Sequence, residues 1–111
     1  MLKSVTRQVI SLLVAQNYRQ ANLLTAGVRL SEEEIRGAIL EYGRVLVIPP
    51  ESAFDLMDFG EVKTSKIFGI RQWWVVMDLW TKEEGRSDLS IELTVLESDP
   101  VTVEIDNIHV L

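Results

Sequence analysis

The spacing of apolar residues changes once along this chain, at Gly43, and that change restricts the fold more than any other feature. Before Gly43, apolar residues recur near every 3.6 positions, the repeat of a helix that buries one side. After it, β-branched and aromatic residues alternate with polar ones, the two-residue repeat of a half-buried strand. Helices followed by strands on short turns predict an α+β domain, with two or three N-terminal helices packed on one face of a curved, four- to five-stranded antiparallel sheet. With 111 residues, 47% of them hydrophobic, the chain can fill one core and not two, so 1–111 reads as a single domain.

The helical half has three parts. Val5, Val9, Leu12 and Leu13 mark a first helix from Lys3 to Gln16, which Asn17 can end. Tyr18–Gly27 carries a further turn or short helix through Ala21 and Leu24 before Gly27 breaks it. Leu30-Ser31-Glu32-Glu33-Glu34-Ile35 then holds a capping box, in which Ser31 accepts from the Glu34 N–H and Glu34 reaches back to the Ser31 N–H. Leu30 and Ile35 close over it, Glu32 and Glu33 suit the positive end of the helix, and Gly43 terminates it. The helix spans Glu32–Tyr42 and buries Ile35, Ala38, Ile39 and Tyr42.

Val45–Ile48 is a short strand stopped by Pro49-Pro50. Ala53–Lys63 is ambiguous: it admits an edge strand lined by Phe54, Leu56 and Met57 or Phe59, while Gly60 suggests a bulge or turn. Gln72–Thr81 and Asp88–Leu96 pair as a hairpin through a turn in which Gly85 supplies a positive φ. A last strand runs from Val101 to Leu111, and its apolar parity switches near Asp106-Asn107, which predicts a bulge there.

The usual signatures of chemistry are absent from this sequence. The six glycines are scattered and none builds a phosphate cradle. One histidine, His109, and no cysteine exclude a histidine-rich or cysteine-ligated metal site and a disulfide framework. No cofactor is expected. With 17 acidic residues against 11 basic ones, a net charge of −6 repels phosphate backbones and argues against nucleic acid. The apolar run Val9–Ala15 is far short of the ~20 residues that span a membrane. Lys3 and Arg7 ahead of it imitate a secretion signal, but no small-x-small cleavage site follows. The chain reads as cytoplasmic, with no membrane contact. The acidity suits a basic partner or plain solubility.

Two ideas about function remain. If Leu79 faces Leu89, Trp73, Val75, Met77 and Leu79 join Leu89, Ile91, Leu93 and Val95 on one dry face. Trp74, Val76 and Trp80 then lie on the other face beside Asp78, Asp88, Ser90 and Glu92. Aromatic rings on a polar face call for cover, either from the chain's own Pro49–Lys66 segment or from a protein partner or second copy. The competing idea is an enzyme or small-ligand-binding protein that gathers Asp78, Asp88, Asp106 or His109 on the concave sheet face.

Leu79-Trp80-Thr81-Lys82-Glu83-Glu84-Gly85-Arg86-Ser87-Asp88-Leu89, with the ending Ile105-Asp106-Asn107-Ile108-His109-Val110-Leu111, resembles a family of small bacterial domains of unknown function. The resemblance covers the last third of the chain. It implies a bacterial cytoplasmic protein and supplies no activity, cofactor or catalytic residue. By analogy of element order, the fold is similar to the helix-wrapped curved sheets of cystatin-like and nuclear-transport-factor-like domains. Within the segment, Arg86 can pair with Glu83, Glu84 or Asp88 to fix the turn. The sharper expectation is a recognition patch of Trp80, Glu84, Arg86, Asp88 and His109 at one end of the sheet. Together with Trp74 and Asp78, these are the candidate binding residues of a non-enzymatic interaction domain, for instance an immunity-type protein that neutralises a toxin.

Overall fold

The computed structural model describes Met1–Leu111 and orders its elements as α1 (Leu2–Val14), α2 (Tyr18–Leu24), α3 (Glu32–Tyr42), β1 (Leu46–Val47), α4 (Glu51–Phe54), β2 (Asp58–Val62), β3 (Gln72–Thr81), β4 (Gly85–Leu96) and β5 (Thr102–Val110). The class is α+β, with helices at the N-terminus and a five-stranded, open antiparallel sheet. Gln16, at φ 57°, turns the chain out of α1. The Asn17 side chain then accepts from the Gln20 N–H, so Asn17 starts α2 rather than merely ending α1. The Ser31–Glu34 capping box is complete, and Gly43 closes α3 at φ 74°, a conformation that costs a side-chain residue more than glycine.

The buried stripe of α1 is Thr6, Val9, Ile10 and Leu13, with Val5 and Leu12 flanking it half-buried or at its margin. It meets Ile35 and Ile39 of α3 and one face of the sheet: Val75, Met77 and Leu79 of β3, Leu89, Ile91, Leu93 and Val95 of β4, and Val103, Ile105 and Ile108 of β5. These strand positions obey the alternation expected of a sheet with one dry face.

The strand order is β1-β3-β4-β5, and β2 also pairs with β3. Since β4 fills one edge of β3, both β1 (opposite Trp80 and Thr81) and β2 (opposite Gln72–Val76) share the other. Between them stands α4, so the edge strand expected within Ala53–Lys63 forms only as β2, and Phe54 and Leu56 lie outside it. Pro50 cannot extend a ladder, but it precedes a helical turn without cost because the first N–H groups of a helix have no intrahelical partner. That turn drives Phe54 into the core at 1% exposure and leaves Leu56 outside. The Arg7 guanidinium lies 4.8 Å from the centre of the Phe54 ring. Lys3–Asp55 and Arg7–Glu51 ion pairs tie α4 to α1.

Two bulges set the sheet's registers. On β5, Asn107 faces Glu92 and Ile105 faces Leu93, so Asp106 is the extra residue that produces the parity switch. On β4, Ser90 faces Asp78 but Arg86 faces Trp80, so Ser87–Leu89 stand opposite Leu79 alone. The Ser87 hydroxyl donates to the Leu79 carbonyl at 2.7 Å and accepts from the Leu89 N–H at 3.2 Å. It thereby supplies partners that an irregular ladder cannot. This second bulge lets β4 begin at Gly85 rather than Asp88.

Candidate functional site

The face of the sheet away from the helices holds most of the residues singled out above, and their neighbours divide them into separate groups. Asp78 accepts from the Ser90 hydroxyl at 2.7 Å and from Arg86 Nε at 2.8 Å. Trp80 sits opposite Arg86, half-buried, and shares with Ala53, Leu56, Met77, Asp78 and Arg86 a recess of about 20 Å³, room for little more than one water. The chain's own α4 segment therefore gives Trp80 much of its cover. Asp88 projects into solvent.

Glu84 belongs to the β3–β4 turn and is occupied within the chain. Its carboxylate accepts from the Tyr42 hydroxyl at 2.9 Å and from Thr81 Oγ1 at 3.0 Å, while Thr81 Oγ1 accepts from the Glu84 N–H at 3.0 Å. Glu83 accepts from the Val45 N–H at 3.0 Å, and the Lys82 N–H donates to the Val45 carbonyl at 2.8 Å. The two glutamates thus hold the turn against the end of α3 and the start of β1. Desolvation, and next the hydrogen bond to Glu84, raise the Tyr42 pKa above its usual 10.0. A phenol raised in the folded state stabilises fully below the unfolded value and loses that contribution as pH rises through the folded one. Tyr42→Phe should lower the urea midpoint at neutral pH and flatten its decline above about pH 10. Equal alkaline slopes in both proteins would mean that another group titrates there.

His109 pairs with Glu92, and Asp106 accepts from Thr94 Oγ1 at 2.6 Å and from Arg29 Nε at 3.2 Å. Nowhere do three histidine or carboxylate groups converge as a metal cage would require. Of the four polar groups that the sequence offers for chemistry, only His109 lines a sizeable groove, about 350 Å³ between α3 and the ends of β4 and β5. Asp78, Asp88 and Asp106 lie outside it and outside the larger groove of about 440 Å³ under the β2–β3 loop.

Trp74 shares a sheet face with Trp80 but stands six positions away on β3, roughly 20 Å at strand rise. Its indole lies against Gly60, its partner on β2, and a Cβ there would meet Nε1 at 2.7 Å. Glycine is what lets the ring cross the strand. Trp74 remains 43% exposed. On the other face of the same strand pair, Phe59 is 53% exposed and its ring centre lies 6.3 Å from that of Trp73. Trp73 Nε1 donates to Glu97 at 2.8 Å, and Arg71 stacks 4.9 Å above the Trp73 ring while pairing with Glu61 at 3.0–3.1 Å. The hydrogen bond from Arg71 lowers the Glu61 pKa, so this pair stabilises above the usual carboxylate value and its contribution fades as pH falls. In the loop joining β2 to β3, Phe68 is fully exposed. The same loop crosses the polar face, where the Lys66 N–H donates to Gln72 Oε1 at 2.9 Å and its ammonium pairs with Glu104. Leu96 and Thr94 are buried on that face.

Sequence reasoning missed Phe59, Gly60 and Phe68 as parts of this aromatic end. Phe59 and Gly60 lie in the Ala53–Lys63 segment, whose sequence pattern fits more than one element, and only the β2–β3 register joins them to Trp74. A family model described as Domain of unknown function (DUF7668) matches residues 10–111, and the chain belongs to that family. The match extends well beyond the last third that carries the motif resemblance. No curated protein and no solved structure matches the chain significantly.

Proposed function

We propose, for a member of a family to which no activity is attached, that this is a non-enzymatic protein-interaction domain of a small bacterial cytoplasmic protein. Its contact surface is the aromatic end of the sheet rather than the Trp80 end. The observation that carries the reading is Trp74, a 43% exposed indole laid over Gly60 beside the open edge of β2. Exposed aromatic rings on a rigid sheet are the anchors that interfaces bury. Trp80, Glu84 and Arg86 are engaged by neighbours within the chain, which makes them positioning residues of the hairpin. An acidic, cysteine-free domain that offers such a face fits a reducing compartment and a partner masked by surface contact, as an immunity-type protein masks a toxin.

Photocrosslinking in cells tests this. A benzoylphenylalanine at Phe59 should give discrete adducts, whereas the same group at Leu23, 61% exposed on α2, should not. An adduct of twice the chain mass identifies self-association, and any other discrete mass identifies a different partner. No adduct at Phe59, or equal smears from both sites, would remove the aromatic end as an interface.

A further inference from the structure

We infer that the helical layer holds a second site, independent of the aromatic end of the sheet, for a small organic anion with a carboxylate head and an apolar body. Where α1 ends, α2 begins and α3 gives way to β1, the chain leaves a groove of about 290 Å³. That is near the lower end of the roughly 300–1,000 Å³ that small-molecule sites occupy. Leu13, Ile39, Leu40 and Leu46 are among its apolar walls, and Gln16, Tyr18 and Arg44 are its polar side chains. No aspartate or glutamate lines it. In a chain with 17 acidic residues against 11 basic ones, that sets it apart from the two other sizeable grooves, which include Glu61 and Glu41 respectively.

Tyr18 and two arginines specify the head group. Only 7% of Tyr18 is exposed, yet its hydroxyl makes no hydrogen bond within the chain. A buried phenol ordinarily has a partner. Nor is this oxygen sealed away, as the unpartnered Thr6 Oγ1 and Asn22 Oδ1 are, so it is open to whatever enters the groove that Tyr18 lines. The Arg36 guanidinium lies 5.4 Å from the centre of the Tyr18 ring. Neither Arg36 nor Arg44 belongs to any of the chain's ion pairs, although Glu32, Glu33 and Glu41 stand only three or four residues away from one or the other. Glu83 is tied to the Val45 N–H at 3.0 Å and reaches neither arginine. The carbonyl ends of α1 and α3 each bring roughly half a negative charge, which two full guanidinium charges outweigh. A carboxylate satisfies the open phenol and the forked Arg44 donors together, and the apolar walls take the rest of the molecule.

Octanoate, added to the full chain below its micelle concentration and followed by amide NMR, tests the site. It should shift amides saturably within Leu13–Tyr18 and Ile39–Leu46 and leave those of β2 in place. Octanol carries the same chain without the charge, and octyltrimethylammonium carries the opposite charge. Both should bind at least roughly ten-fold more weakly, the effect of losing one charge-assisted hydrogen bond. Tyr18→Phe keeps the buried ring and removes only the hydroxyl, and Arg44 is exposed, so the fold tolerates both changes. Tyr18→Phe and Arg44→Gln should each weaken octanoate roughly ten-fold. Arg19→Gln, which removes another exposed, unpaired arginine outside the groove, should not. Absence of saturable shifts, shifts centred elsewhere, or octanol bound as tightly as octanoate would overturn the anion site. So would Tyr18→Phe and Arg44→Gln variants that bind like the original protein, or an Arg19→Gln loss equal to that of Arg44→Gln.

Discussion

Phe54→Ala should cost about 3–5 kcal/mol of unfolding free energy, the largest loss expected of any single change in α4. Phe54 is 1% exposed and is among the largest side chains that the core encloses completely. It is also what fastens a four-residue helix, too short to persist by its own hydrogen bonds, to the rest of the fold. The ion pairs Lys3–Asp55 and Arg7–Glu51 join exposed side chains and contribute little, at most about 1 kcal/mol each. Removing the ring leaves a cavity, strips Arg7 of its aromatic surface and loosens α4 from α1. Urea denaturation followed by circular dichroism gives the value, with Leu56→Ala as comparator. Leu56 is 64% exposed, so its truncation should stay within about 0.5 kcal/mol. A loss below about 1 kcal/mol for Phe54→Ala would mean that α4 does not seal the core.

Gly60→Val should eject Trp74 from its seat. The added Cβ falls 2.7–2.9 Å from three indole atoms, closer than such atoms pack, so ring or strand must move. Valine favours the strand by up to about 1 kcal/mol, but overpacking of this kind costs about 1–3 kcal/mol, so the net change in stability is destabilising and modest. For the proposed interface the larger effect falls on partner binding, because the displaced indole no longer lies flat at the β2 edge. Crosslinking of a partner through benzoylphenylalanine at Phe59 should fall by at least roughly ten-fold, with a red shift in tryptophan emission. The contrast lies in the double variant. In a Trp74→Ala background the valine meets no ring, and Gly60→Val should become neutral or stabilising. The same loss in both backgrounds would show that Trp74 does not hold Gly60 in place.

The parts of this fold that are legible in sequence are those settled over a few neighbouring residues. Ser31 and Glu34 sit within one helical turn, and the Asp106 bulge shows itself because the apolar parity of one strand switches. The alternation of Trp73, Trp74 and Val75 also suffices to put Trp74 and Trp80 on one face. Features that need distant partners stay hidden. Glu84 reads as a solvated recognition group until Tyr42, 42 positions earlier, is brought against it. The β4 bulge escapes notice because Ser87 looks like part of the turn, and its partner carbonyl belongs to Leu79. α4 escapes for a different reason. Its two inward side chains, Ala53 and Phe54, are too few for any period, and Pro49-Pro50 reads as a stop to the strand before it rather than the entry to a helix. β2 shows no buried alternation at all, since it is an edge strand exposed on both faces.

The segregation of helices before strands also sets an order of events when the chain is made. Val9, Ile10, Leu13 and Ile35 emerge from the ribosome well before β3, β4 and β5, the surface that buries them. Those three strands join neighbour to neighbour through short turns, so each pairing closes a small loop. The helical half must wait, apolar side uncovered, until a meander that assembles quickly from local contacts presents its dry face. A nascent chain stalled between Tyr42 and Gln72 would therefore be the form most in need of a chaperone.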